Sequence, residues 1–255
     1  MNNCQKVIFV VLLAVIPSLC CRAAAPELYR VSVVREYPHD RGAYTQGLFF
    51  ENGQLYESTG QYGKSSFRKV KLETGEALET VKFNRKYFAE GSVILDGQLY
   101  ILTWTNKVAF IYDASTLKYT RSYSYPREGW GLATDGRRLI ASDGSSKLYF
   151  LGPDYSLQGS VNVTLDGRPV KYLNELEWIE GKVWANIYMT DTIVVINPRT
   201  GVVEGVVNCE GLLPSKLRRG DTDVLNGIAY NDGKIYLTGK NWPRLYEVKL
   251  VGGKP

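Results

Sequence analysis

One short pattern recurs five times along this chain, and few folds can accommodate it. The segments YTQGLFFENGQLY, FAEGSVILDGQLY, GWGLATDGRRLI, LNELEWIEGKVW and LNGIAYNDGKIY start at residues 44, 88, 129, 173 and 225. Each is an apolar run, a turn and a second apolar run. The turn glycines are Gly53, Gly97, Gly136, Gly181 and Gly233, each close behind an Asn, Asp or Glu. A pair such as Asn-Gly between two apolar runs is a hairpin turn, because both central positions can require positive φ. A repeat period of about 40–50 residues is the signature of blades or solenoid units.

A third run follows in every unit: SFRKVKL, VAFIYD, KLYFLG, IVVINP and RLYEVKL. A fourth, ALETVKF, YTRSYSY, LQGSVNV or VEGVVNC, closes the first four units only. The fifth unit lacks its own, but Leu28–Tyr37 precedes the first unit and reads like the other fourth strands. A ring closes when an N-terminal strand completes the C-terminal blade, which removes an exposed edge. The expected fold is therefore all-β: a five-bladed β-propeller over residues 26–255, as a single domain. Eighteen tyrosines, 25 glycines and the lack of sustained 3.6-residue periodicity agree with strands and tight turns.

Residues 1–25 read as an export signal. Lys6 precedes an apolar-rich run from Val7 to Leu19, and Ala23-Ala24-Ala25 precedes Pro26. That run is short of the ~20 residues that a membrane span needs. The expectation is an exported protein, periplasmic or secreted, with no membrane span. Lipid attachment at Cys20 or Cys21 is the alternative, although Pro17-Ser18-Leu19 makes a poor lipobox. Cys209 is the one thiol well inside the remaining chain, so a disulfide framework is excluded. The net charge is +5, or +3 without Lys6 and Arg22, with no basic run, so nucleic acid is not an expected partner.

The repeat keeps its scaffold while one position changes chemistry: Gln46, Glu90, Trp130, Asn174 and Asn226. In a hairpin, the start of strand one lies beside the end of strand two. Gly60, Trp104, Tyr188 and Lys240 therefore belong to the same mouth of a central channel. A carboxylate, a lysine, amides and aromatic rings converging there suit a small polar ligand held between aromatic walls. Phe88 and Trp104 would partly desolvate Glu90 and raise its pKa, as proton transfer requires. Blander readings stand beside these. Glu90 can be a rim carboxylate, Lys240 a surface lysine, Asn174 and Asn226 turn caps, and the tryptophans interblade packing. The single histidine, His39, precedes the first unit, and no paired-Cys or H-E-x-x-H spacing exists, so no catalytic metal or cofactor is expected. P-loop and G-x-G-x-x-G motifs are absent as well.

In order along the chain, these runs closely resemble the glutamine cyclotransferase family of plant and bacterial type. The matching runs are Tyr-Thr-Gln-Gly-Leu at 44–48, Leu-Tyr-Glu-Ser-Thr-Gly at 55–60, Tyr-Phe-Ala-Glu-Gly at 87–91 and Gly-Trp-Gly-Leu-Ala-Thr-Asp-Gly at 129–136. Ser-Asp-Gly at 142–144, Leu-Asn-Glu-Leu-Glu at 173–177, Trp-Ala-Asn-Ile at 184–187, Leu-Asn-Gly-Ile-Ala at 225–229 and Thr-Gly-Lys-Asn-Trp-Pro at 238–243 complete the series. The resemblance implies a propeller that converts N-terminal glutamine of peptides or proteins to pyroglutamate, releasing ammonia without a catalytic metal. It implies an acid/base role for Glu90 and pocket positions at Gln46, Phe88, Trp104, Trp130, Asn174 and Lys240. Tyr188 stands where the family commonly has tryptophan, and Tyr44 where it often has phenylalanine. A monomer is expected. The competing expectation is a non-catalytic exported propeller that binds peptide termini or sugars through its aromatic mouth.

Overall fold

A computed structural model of the chain describes residues 25–253. The expected lipid-attachment alternatives Cys20 and Cys21, and all but the last residue of the expected export signal, lie outside the described residues. Strand β1 (Glu27–Pro38) comes first. Next come β2 (Thr45–Glu51), β3 (Gln54–Thr59), β4 (Ser66–Val70) and β5 (Ala77–Lys82), an antiparallel sheet in chain order. The second sheet repeats that order with β6 (Ala89–Leu95), β7 (Gln98–Thr103), β8 (Val108–Asp113) and β9 (Tyr119–Ser124). The third contains β10 (Leu132–Thr134), β11 (Leu139–Ala141), β12 (Lys147–Leu151) and β13 (Leu157–Asn162). A small hairpin, β14 (Thr164–Leu165) and β15 (Arg168–Pro169), leads to β16 (Leu173–Ile179), β17 (Lys182–Ile187), β18 (Thr192–Ile196) and β19 (Val203–Asn208). Last come β20 (Leu225–Asn231), β21 (Lys234–Gly239) and β22 (Arg244–Gly252). Among the described residues the only helical segment is one 3-10 turn, Ser215–Leu217. No helix there is long and apolar enough to cross a membrane.

Strand β1 pairs antiparallel with β22, so the fourth and outermost place in the last unit is filled from the N-terminus. Its other edge pairs in parallel with β19, joining the last two units into one eight-stranded sheet. The hairpin turns form as their sequences dictate. Asn52-Gly53, Asp96-Gly97, Glu180-Gly181 and Asp232-Gly233 all have positive φ at both residues. The third unit differs: Thr134 pairs with Leu139 across a longer loop, which accounts for its shorter strands.

The first strands touch in cyclic order, β2 to β6 to β10 to β16 to β20 and back to β2. The core is divided between successive units in the same way. Phe49, Phe67, Ile94 and Phe110 pack between the first and second, and Tyr37, Leu48, Tyr236 and Leu245 between the last and first. Outer strands such as β5 and β9 face solvent, whereas every residue of β6 is buried.

The residue after the variable position explains how the first strands approach so closely. It is glycine in four units: Gly47, Gly91, Gly131 and Gly227. A Cβ on Gly91 would lie 2.4 Å from Leu132 N, and one on Gly131 would lie 2.0 Å from Asn174 O. Glu175 holds that place in the fourth unit. Its carboxyl accepts hydrogen bonds from Leu48 N (3.2 Å) and Ile228 N (2.8 Å), tying β16 to β2 and β20. Burial drives its pKa well upward and nearby Glu177 adds to this, against the pull of the two backbone N–H groups.

Candidate active site

At the mouth formed by the starts of the first strands lies a cavity of about 290 Å³. Its walls are Tyr44, Gln46, Gln61, Phe88, Glu90, Trp104, Trp130, Asn174, Tyr188 and Lys240. Nine of the expected residues, all of those walls but Gln61, meet here from different units, whereas Gly60 and Asn226 do not line the cavity. Gln61 is the addition. Asn226 lies beneath, fully buried.

Glu90 is the second residue of β6 and is 5% exposed. Gln46 Nε2 donates to Glu90 Oε1 at 3.1 Å. Asn226 Nδ2 in turn donates to Gln46 Oε1 (3.3 Å) and to Thr45 O (2.9 Å). The turn-capping expectation for Asn226 is thus half the account: it does bind backbone, but of the neighbouring unit, and it also fixes which way the Gln46 amide points. Burial raises the Glu90 pKa well above the usual carboxylate range; Lys240 opposes this and Glu128 adds to it. A carboxyl group whose pKa is raised in this way is suited both to give and to take a proton.

Lys240 is 3% exposed and follows β21 directly. Its Nζ sits 4.9 Å from the ring centres of both Tyr44 and Tyr188, a cation held between two π faces. Burial lowers its pKa, while Glu90 and Asp223 pull the other way. Tyr44 Oη donates to Asp223 Oδ2 at 2.7 Å, and burial together with that bond raises the phenol pKa. Tyr188 meets Trp130 edge to face at 5.6 Å, so the ring at this position still builds a wall.

Phe88 contacts Tyr44, Tyr62 and Trp104 edge to face at 6.2, 5.4 and 5.6 Å. Its place depends on Gly60, where a Cβ would lie 2.2 Å from Phe88 Cε1. The absence of a side chain at residue 60 therefore makes room for a wall of the cavity. Asn174, 2% exposed, completes the polar side.

Gln61, Glu128 and Asp223 are functional candidates that the repeat did not reveal. All three lie in connections between strands, where the five units differ in length and composition. The spelling Glu128-Gly129-Trp130, a charge beside a wall residue, was the available signal. His39 has both ring nitrogens engaged away from the cavity, Nδ1 with Trp242 O (2.7 Å) and Nε2 with Glu57 Oε1 (2.9 Å). Glu57 also accepts from Thr45 Oγ1 (2.7 Å) and Arg68 Nη2, and Arg68 Nη1 donates to Asp40 Oδ2 (2.6 Å). Among the described residues, no three His, Cys, Asp or Glu side chains cluster as metal ligands would.

Residues 7–250 match the family model described as "Glutamine cyclotransferase". A glutaminyl-peptide cyclotransferase of Arabidopsis thaliana is 43% identical over 227 aligned residues, covering 86% of this chain and 71% of that protein. The crystal structure of Myxococcus xanthus glutaminyl cyclase superposes with a TM-score of 0.83 at 36% identity. It covers 90% of this chain and 100% of that one.

Proposed function

This chain belongs to the glutamine cyclotransferase family, and we propose that it cyclises the N-terminal glutamine of peptides and proteins to pyroglutamate, releasing ammonia. The observation that carries this reading is Glu90: a carboxyl group of raised pKa, buried in an aromatic cavity and aimed by an amide relay from Asn226 through Gln46. The cavity is at the small end of the ~300–1,000 Å³ usual for small-molecule sites, which suits one curled residue.

The reaction forms one C–N bond and breaks another on the same carbonyl carbon. The α-nitrogen must be neutral to attack the side-chain amide, and the departing nitrogen needs a proton to leave as ammonia. Ionised Glu90 takes a proton from the attacking nitrogen and, as the acid, returns it to the leaving one. Negative charge gathers meanwhile on the amide oxygen. Lys240, Asn174 and the second N–H of Gln46, whose first is given to Glu90, are the donors at the cavity wall available to stabilise it. Phe88, Trp104, Trp130 and Tyr188 hold the flexible side chain folded back toward its own amine, reducing the entropy cost of ring closure. In class terms this is an intramolecular aminoacyl transfer.

The finer architecture belongs to the same reading. The cyclic contacts of β2, β6, β10, β16 and β20, and the pairing of β1 with β22, support a five-bladed propeller closed by its N-terminal strand. The leader-like residues 1–25 support action outside the cytoplasm by the 26–255 domain. The test is ammonia release from a Gln-initial peptide against the same peptide with its α-amine acetylated. Release from the first alone is expected. A folded protein that bound Gln-initial peptide without releasing ammonia would instead be a peptide-binding propeller.

A further inference from the structure

We propose that Glu128 is a positioning residue of this site: one carboxylate that fixes the angle of both tryptophan walls. The proposal rests on the cyclotransferase reading above. Its basis is a shared acceptor. Trp104 Nε1 donates to Glu128 Oε2 at 2.9 Å, and Trp130 Nε1 donates to the same oxygen at 3.2 Å. The two indoles come from different units, Trp104 just after β7 and Trp130 just before β10. They lean on opposite partners, Trp104 on Phe88 and Trp130 on Tyr188. A single anionic oxygen therefore sets the separation and tilt of both walls. Charge-assisted bonds of this kind are about twice as strong as neutral ones.

The loop carrying Glu128 is held on both sides. Tyr125 is fully buried, and its N–H donates to Lys107 O at 2.8 Å. Gly129 N donates to Thr103 O at 3.1 Å, and a Cβ there would lie 2.6 Å from Leu102 Cβ, so the loop presses flat against β7. Arg127 turns away, with its guanidinium 4.2 Å from the centre of the Tyr149 ring. Glu128 itself is not among the cavity walls, so its effect on a substrate passes through the indoles. Each indole stays in place without it, but free to rotate about its side-chain bonds. Apolar area for binding then persists, while the folded-back geometry that ring closure needs does not.

The experiment compares wild type with Glu128→Ala and Glu128→Gln, each checked for fold by circular dichroism. Glutamine keeps a carbonyl oxygen that can accept both indole N–H groups; alanine keeps none. Ultraviolet resonance Raman of the unliganded proteins reports hydrogen bonding at the indole N–H independently of turnover. In Glu128→Ala the band should shift toward free N–H, and kcat should fall at least ~10-fold, within the ~10²-fold that misplaced groups can cost. KM should stay within about threefold, and Glu128→Gln should regain most of the lost kcat, because orientation rather than binding is at stake. A Raman band unmoved in Glu128→Ala, or a kcat unmoved despite the shift, overturns the proposal. So does Glu128→Gln failing as badly as alanine with its Raman band intact, which would make the charge of Glu128, acting on Glu90, the active element. A wild-type protein that releases no ammonia sinks the cyclotransferase reading instead, while the Raman comparison still reports on the clamp.

Discussion

Replacing Glu90 by glutamine isolates the proton from everything else the residue does. Glutamine matches its size, and its carbonyl oxygen can still accept the Gln46 Nε2 bond seen at 3.1 Å. The cavity keeps its shape, and the aromatic walls that bind substrate are untouched. What is lost is a group able to take a proton from one nitrogen and return it to another. Positioned general acid/base catalysis contributes ~10²–10⁴-fold, so kcat should fall by that factor with KM nearly constant. This corresponds to about 2.7–5.4 kcal/mol of barrier at 1.36 kcal/mol per tenfold. The pH profile gives a second readout. Burial and the Glu128 charge hold the Glu90 pKa high, and Lys240 alone among the facing charges pulls it down. In wild type, kcat/KM should therefore fall on the acid side at a pH well above the ordinary carboxylate value of 4.5. The residual rate of Glu90→Gln should lose the contribution of Glu90 to that limb and keep only the one set by protonation of the substrate α-amine. The assay is continuous ammonia release from a Gln-initial peptide between pH 4 and 9, with circular dichroism on both proteins. A folded Glu90→Gln protein retaining more than a tenth of the activity, or a pH profile identical to that of wild type, refutes Glu90 as the proton carrier.

Other perturbations read different parts of the molecule. Gly60→Ala places a Cβ where Phe88 Cε1 now lies 2.2 Å away. The ring must move, kcat/KM should drop about tenfold or more, and overpacking should cost ~1–3 kcal/mol by thermal melting; unchanged kinetics would mean the Phe88 wall is idle. The buried pairing of Glu57 with Arg68 and His39 depresses its pKa below 4.5, against the opposing effect of burial. A depressed folded-state value means that this stability is present above pH 4.5 and is lost as pH falls below it. Melting temperature should thus decline steeply in acid, and Glu57→Gln should flatten that slope while costing ~3–5 kcal/mol at neutral pH. A mutant with the wild-type slope would discount the cluster. Truncation through Pro38 removes the partner of both β22 and β19 and should lower Tm by at least ~10 °C; a melt equal to that of the intact mature chain would refute closure by β1.

The sequence made the repeat legible because hairpin turns advertise themselves locally. Asn52-Gly53 and Asp232-Gly233 need positive φ at both positions, and few other pairs tolerate it. Once the phase was known, the site followed from geometry, because Glu90 and Trp104 occupy fixed places at one end of a hairpin. The closing strand was visible as a missing fourth run matched by a spare one. Glu128 and Asp223 were not visible, since they sit in loops whose path depends on how the units abut. Asn226 was visible but incompletely read: its bond to Gln46 joins residues 180 apart in the chain, a contact that exists only in the closed ring. Glu175 shows in the sequence only as one acid of the run 173–177. That it replaces a contact glycine and bridges two other strands required the three-dimensional arrangement.

The place of β1 has a consequence for how the molecule assembles in time. This strand is synthesised before every other, yet its parallel partner begins at Val203 and its antiparallel partner at Arg244. Tyr37 waits for Glu247, 210 residues later, and His39 for the carbonyl of Trp242. Each hairpin unit can form from neighbouring residues as soon as it emerges, but β1 remains an unpaired edge until the chain is almost complete. Contacts of such long sequence separation slow folding, and unpaired edges invite association in the meantime. Docking of this one N-terminal strand is therefore the step expected to limit refolding. Until it docks, the exposed Leu28, Val33 and Val34 are joined by apolar surface that the native state covers, including Tyr37.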